Sequence, residues 1–343
     1  MRPVSLLTLS AALGSIAVLP ACAGSSPGST SLFPSSSVSA GSPLHSRKRG
    51  SPLGTCTDER RLQVRMAHRQ FAKPAANPPY LYVADSCEPS IDVLNGKTYY
   101  ELGSITDRVS GPTDVFVDSK GNLYVANADS GNVTEYAPGD WSAPSFTYSV
   151  NMQAPFAVTA DAHGDVYEGD YNGYINEYYQ KQNAETVVSC QPAAPGEFGL
   201  PNPVVGVAVD SSNDVFAMVD ASSVYLVEYP GGLDNCPPPK VLPLGGENIA
   251  VDKNANLLIA NGTSVEVVDE PSYSEINATI GSGFSCAGNV RLNKGNTLAF
   301  VTDTCNDTVT VVNYPSGTNA TVLGTGNGLS EPVAAVPAPN AVY

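Results

Sequence analysis

Charge, and positive charge above all, is what this sequence has least of. Only 15% of its 343 residues are Asp, Glu, Lys or Arg, against roughly 25% in an ordinary soluble domain. That excludes a coiled coil and a charge-driven disordered chain. Histidine occurs three times, as His45, His68 and His163, so a paired-histidine centre has no material inside the body of the chain. No Cys-x-x-Cys or mixed Cys/His spacing suits zinc, and no Gly-x-Ser-x-Gly frames a serine nucleophile in residues 76–343. The longest apolar run, Leu6 to Leu19, is 14 residues, short of the roughly 20 that a membrane-spanning helix needs. What is plentiful is punctuation. The 31 Gly and 28 Pro, with many Asn, Ser and Thr, describe a turn-rich β protein, and 42% hydrophobic residues supply its core.

The few cations are concentrated at one end. Residues 1–75 hold nine Lys/Arg against two Asp/Glu, whereas residues 76–343 hold eight against 31, a balance of −23. A phosphate backbone is repelled by such a body, which argues against a nucleic-acid partner and for cations or basic surfaces. The apolar run follows Arg2 and ends in Leu19-Pro20-Ala21-Cys22, the layout of a secretory signal. A small residue followed directly by Cys resembles the bacterial lipobox, although Pro20 stands where a small or aliphatic residue is usual. The resemblance implies acylation of Cys22 after removal of residues 1–21, and a lipoprotein of the cell envelope on its periplasmic or extracellular face. The alternative is an ordinary signal peptide with Cys22 incidental. Residues 22–57 are rich in Ser, Gly and Pro and read as a flexible tether. Residues 58–78 read as a linker with a short basic helix, on which Leu62, Met66 and Phe71 share one face.

The body repeats itself. Short apolar strands ending in Asp118, Asp161, Asp210 and Asp252, with weaker copies ending in Asn293 and Pro337, follow one another at 43, 49, 42, 41 and 44 residues. A second strand follows each of the first five copies, as in Gly121–Asn127 and Gly164–Asp170, then a third such as Asn132–Gly139, then a weaker fourth. Four strands per repeat at this period are propeller blades. The ends settle the number. Pro79–Asp85 matches a second strand, and its missing first strand is supplied by residues 332–339. The reading is an all-β, six-bladed β-propeller of four-stranded blades over residues 79–343, closed by the C-terminal strand, with about 44 residues per blade.

The pattern in Pro112–Asn127, PTDVFVDSKGNLYVAN, followed by Val-x-Glu-Tyr, resembles the NHL-repeat, gluconolactonase-like six-bladed propellers. That group includes binding scaffolds, lactonases and lyases, so fold does not fix function. Its lyases use paired His with Glu near the channel, for which this body has only His163. Its lactonases hold a divalent metal with Glu, Asn and Asp at the channel mouth. The residues at the start of the first strands are Asp114, Ala157, Gly206, Asn248, Asn289 and Ala334, with Glu247 beside Asn248. Asp114, Glu247, Asn248 and Asn289 break the repeat and carry the oxygens that Ca²⁺ prefers. They are the candidate cation or ligand site, the other reading being a polar lining of a water-filled channel. The recurring Asp and Asn at strand ends obey the repeat and are turn residues. Tyr171 and Tyr174 beside Asp170 offer a surface for a sugar or a basic peptide, or simply packing.

Without Cys22, six cysteines remain in an exported chain, which argues for disulfides. Cys286 and Cys305 flank the first two strands of one blade on the same face and form the favoured pair. Cys190 and Cys236 join neighbouring blades, yet their places after and before a fourth strand put them on opposite faces. The functional expectation is a lipid-anchored binding or scaffolding module for a protein, peptide or carbohydrate, with no catalytic residue identified. The alternative is a metal-dependent hydrolase of the gluconolactonase-like type.

Overall fold

The computed structural model describes residues 79–86, 89–179, 187–192, 202–221, 223–340 and 342. The signal segment, the tether, the linker helix, Cys22, Cys56 and Cys87 lie outside them. The described residues form six four-stranded antiparallel sheets. From the axis outward, blade one is β24 (Pro332–Ala338), β1 (Tyr80–Asp85), β2 (Ser90–Asn95) and β3 (Glu101–Ile105). Blade two is β4 (Pro112–Val117), β5 (Leu123–Asn127), β6 (Asn132–Tyr136) and β7 (Phe146–Tyr148), and blade three is β8 (Pro155–Ala160), β9 (Val166–Asp170), β10 (Ile175–Tyr178) and β11 (Val187–Cys190). Blade four is β12 (Val204–Val209), β13 (Val215–Val219), β14 (Tyr225–Tyr229) and β15 (Lys240–Leu242), and blade five is β16 (Asn248–Val251), β17 (Leu257–Ala260), β18 (Val265–Val268) and β19 (Ile276–Ile280). Blade six is β20 (Ala287–Leu292), β21 (Leu298–Asp303), β22 (Thr308–Asn313) and β23 (Asn319–Leu323).

The innermost strands touch in the closed sequence β24, β4, β8, β12, β16, β20 and back to β24, which makes the sheets a ring. Closure is by the strand expected from the sequence. β24 pairs antiparallel with β1, setting Val336 opposite Tyr82, so neither strand is left with an open edge there. Asp85 fastens the joint by accepting the N–H groups of Ser330 at 2.9 Å and Glu331 at 3.3 Å.

The repeat has a local chemical cause. Asp118, Asp161, Asp210 and Asp252 each end an inner strand, and one carboxylate oxygen of each accepts the N–H groups two and four residues on, at 2.8 to 2.9 Å. The Asp therefore builds the turn into the second strand. Asn127, Asp170 and Asp303, which end second strands, accept N–H groups from the loop leading into the inner strand of their own blade. Apolar residues between neighbouring sheets form the core, including Tyr124, Tyr148 and Tyr178 at the junction of blades two and three.

A bulge recurs at the start of the inner strands. The register slips by one residue at Thr113, Phe156, Val205, Gly288 and Val333, which bends the strand and re-aims the residue that follows. Those followers are Asp114, Ala157, Gly206, Asn289 and Ala334. At Gly206 a β-carbon would lie 3.0 Å from the Asn248 Cα, so glycine lets β12 and β16 approach.

Candidate functional site

Asp114 and Asn289 lie in blades two and six, separated by blade one, yet the Asn289 amide donates to Asp114 Oδ1 at 2.9 Å. The contact therefore crosses the axis. Between the inner strands lies the guanidinium of Arg291, 3% exposed. Its Nη2 reaches Asp114 Oδ2 at 2.6 Å, and its Nη1 donates to Asn248 Oδ1 at 2.8 Å and to the Ile249 carbonyl at 3.1 Å. Nη2 also contacts the Val158 carbonyl at 3.4 Å, in the blade opposite its own, and the ring of Phe116 lies 5.9 Å from the guanidinium carbon. One side chain from blade six thus ties blades two, three and five across the channel.

Asp114 is fully buried. Burial pushes its carboxyl above the usual carboxylate range, while the Arg291 charge and the Val158, Val115 and Asn289 hydrogen bonds hold it down. Four donors on two oxygens, one of them cationic at 2.6 Å, fit the ionised carboxylate. Of the residues read from the sequence as a cation site, Asp114 and Asn248 bond to Arg291 itself, and Asn289 bonds to Asp114. Glu247 is half-buried one residue before β16, its amide N–H bonded to the Ala260 carbonyl at 2.7 Å. Among the described residues no group of three or more His, Cys, Asp or Glu is placed to hold a metal ion.

Arg291 carries a signal that reading for oxygen ligands passes over. Strand registers place it where the other blades have Phe116, Thr159, Ala208, Ala250 and Val336, so it is the lone cation at its repeat position. Glu168 carries the same signal. It is fully buried between blades two and three, and its counterparts are Val83, Val125, Ala217, Ile259 and Val301. The Asn176 amide donates to Glu168 Oε2 at 2.8 Å and Ser189 Oγ donates to Asn176 Oδ1 at 2.6 Å, while Oε1 has no conventional donor. Burial, reinforced by the neighbouring Asp170 charge, raises the Glu168 carboxyl well above its ordinary value.

The tyrosine surface is narrower than the sequence suggests. Tyr171 is 48% exposed and stacks on Phe156 with ring centres 5.9 Å apart, but Tyr174 is half-buried and Asp170 is buried. His163 projects from the turn after β8, with Nδ1 3.1 Å from Asp161 Oδ2, away from the axial group.

The favoured pair, Cys286 with Cys305, is bonded, and so is the less favoured candidate, Cys190 with Cys236, each with Cα atoms 5.3 Å apart. The argument that placed Cys190 and Cys236 on opposite faces fails because the β14–β15 loop leaves its own rim. Asn235 and Cys236, with φ of 60° and 48°, reverse the chain. Leu233 sinks into the core beside Cys190, and Tyr179 Oη donates to Asp234 Oδ1 at 3.0 Å. The loop thereby lies along the flank of blade three.

No family model matches the chain, and no curated protein matches it. Solved structures do. A chain of the nidogen/laminin complex superimposes with a TM-score of 0.59 and 11% identity, covering 76% of this chain and 98% of that one. A protein of unknown function from Bacteroides caccae gives a TM-score of 0.60 and 12% identity, covering 76% of this chain and 99% of that one. At these identities the likeness is one of fold.

Proposed function

We propose that this chain is an exported, lipid-anchored NHL-like propeller that acts as a binding or scaffolding module, held to the cell envelope through acylated Cys22 and engaging partners with its blade loops. The observation that carries this reading is the axial clamp. Asp114 and Asn248 are bonded to Arg291, and Asn289 to Asp114, so they serve the frame. A hydrolase of the gluconolactonase-like type needs such oxygens to converge on a metal, and here a guanidinium takes that place. Binding needs only variable loops on a rigid ring. The similarity to a chain from the nidogen/laminin complex supports a protein partner by analogy of fold. The −23 balance of residues 76–343 favours a basic one.

The test has two arms. Cys22→Ser in the producing cell should move the protein from the membrane fraction to the soluble one or leave it unprocessed; unchanged partition and mature mass would refute the anchor. Purified protein should retain basic peptides from an array in a salt-sensitive manner and turn over no lactone or ester with added Ca²⁺. Metal-dependent turnover lost in Asp114→Asn would establish the enzyme instead.

A further inference from the structure

Residues that follow β24 lie near Arg291, since Asn340 and Val342 line the same small space as its side chain. The Pro339 carbonyl accepts the Lys294 N–H at 3.2 Å, Asn340 forms a backbone bridge with Asn293, and Val342 packs against the apolar cluster that contains Phe116 and Ala160. That space is a chamber of about 30 Å³, lined by Phe116, Thr159, Ala208, Ala250, Arg291 and Asn340 among others.

Two of these walls present polar atoms without a protein partner. The Asn340 side chain, 4% exposed, has neither its Oδ1 nor its Nδ2 engaged. Arg291 uses both terminal nitrogens in the clamp but leaves Nε free. Together they offer three N–H donors and one acceptor oxygen, all buried, and buried polar groups are as a rule satisfied.

Size and charge then select the ligand. About 30 Å³ admits one or two water molecules and nothing with a carbon skeleton, since one water needs ~10–15 Å³ on this measure. The Arg291 charge is already balanced by Asp114 at 2.6 Å, so a halide would bring an uncompensated negative charge into the interior. A water both accepts from Nε or Nδ2 and donates to Oδ1.

We propose that this chamber is a binding site for ordered water that joins Asn340, just beyond β24, to Arg291 of blade six.

The test is a high-resolution crystal structure of the mature protein grown in sodium bromide, with ¹⁷O magnetic relaxation dispersion in solution. One or two density peaks should lie within ~3.2 Å of Asn340 and of Arg291 Nε, without anomalous signal. Asn340→Leu, shown folded by circular dichroism, should lose the same number of long-lived waters. A bromide peak, a chamber without density, or an unchanged water count in a folded Asn340→Leu would each overturn the proposal. Should that variant not fold, the wild-type crystal decides alone.

Discussion

Arg291 and Glu168 are both buried, and each occupies a repeat position that is apolar or small in the other blades, yet the molecule neutralises them in opposite ways. Arg291 keeps its charge and is answered by Asp114 at 2.6 Å, with carbonyl and amide oxygens around the rest of the fork. Glu168 has an amide on one oxygen, no cation beside it among the described residues and a second carboxylate, Asp170, nearby. The economical form of such a group is the neutral acid, with its proton shared toward Asp170. The same device, a charge placed inside a repeat, thus gives an ion-paired clamp at the axis and a proton-dependent joint between two blades.

The comparison is broken most strongly at the axis. Arg291→Met leaves the Asp114 charge buried without its cation, and Asp114→Asn leaves Arg291 without its anion. Each should cost about 3–5 kcal/mol in urea denaturation at neutral pH. The double variant Asp114→Asn/Arg291→Met should recover most of that loss, because a buried pair contributes less than its halves cost when separated. A single variant that loses under about 1 kcal/mol would mean that the clamp does not hold the ring.

Glu168→Gln tests the other half. The folded-state carboxyl is raised above its unfolded value of 4.5. Above that pH the unfolded chain releases a proton that the folded chain retains, so stability falls as pH rises until the folded group ionises. The slope is on the order of 1 kcal/mol per pH unit for one proton. Glutamine keeps the shape and has nothing to release. Wild type and variant should therefore be close near pH 4.5, and the variant should gain as pH rises from there. Parallel stability curves would show that Glu168 is charged in the fold.

The ring itself is legible in the sequence because it is written many times. Every Asp-terminated strand carries its own turn chemistry, so Asp118, Asp161, Asp210 and Asp252 announce blades whatever surrounds them. Closure by residues 332–339 follows from the phase of Pro79–Asp85 alone. Arg291 and Glu168 are hard to read for the complementary reason: alignment on what recurs turns a departure into a weak copy. The residues singled out at the channel, Asp114, Asn248 and Asn289, were found by asking which positions break the pattern. Applied one pleat further along β20 and to the middle of β9, the same question reaches both missed groups. What no spacing reveals is the path of the 230–239 loop, which depends on where Leu233 finds a core.

The smallest effect lies at Glu177, which shares with Glu168 a raised carboxyl but has a hydroxyl donor. Tyr167 Oη donates to Glu177 Oε1 at 3.1 Å. Burial pushes the group up to about 7, the Tyr167 hydrogen bond opposes this, and the charges of Asp165, Asp234 and Asp161 add to it. The sign is that of Glu168, with a bounded window: the contribution is intact below about pH 4.5, is lost as pH rises, and is flat above about 7. Nearby solvent screens the group, so Glu177→Gln should stabilise by only about 1 kcal/mol at pH 8. Tyr167→Phe sharpens the contrast by removing the donor that favours the ionised form. In carbon-detected NMR, Glu177 should titrate near pH 7 in wild type and up to about one pH unit higher in Tyr167→Phe, with Glu168 unmoved. A midpoint that stays in place would mean that the hydroxyl does not hold this carboxylate, and that the two buried glutamates differ in depth alone.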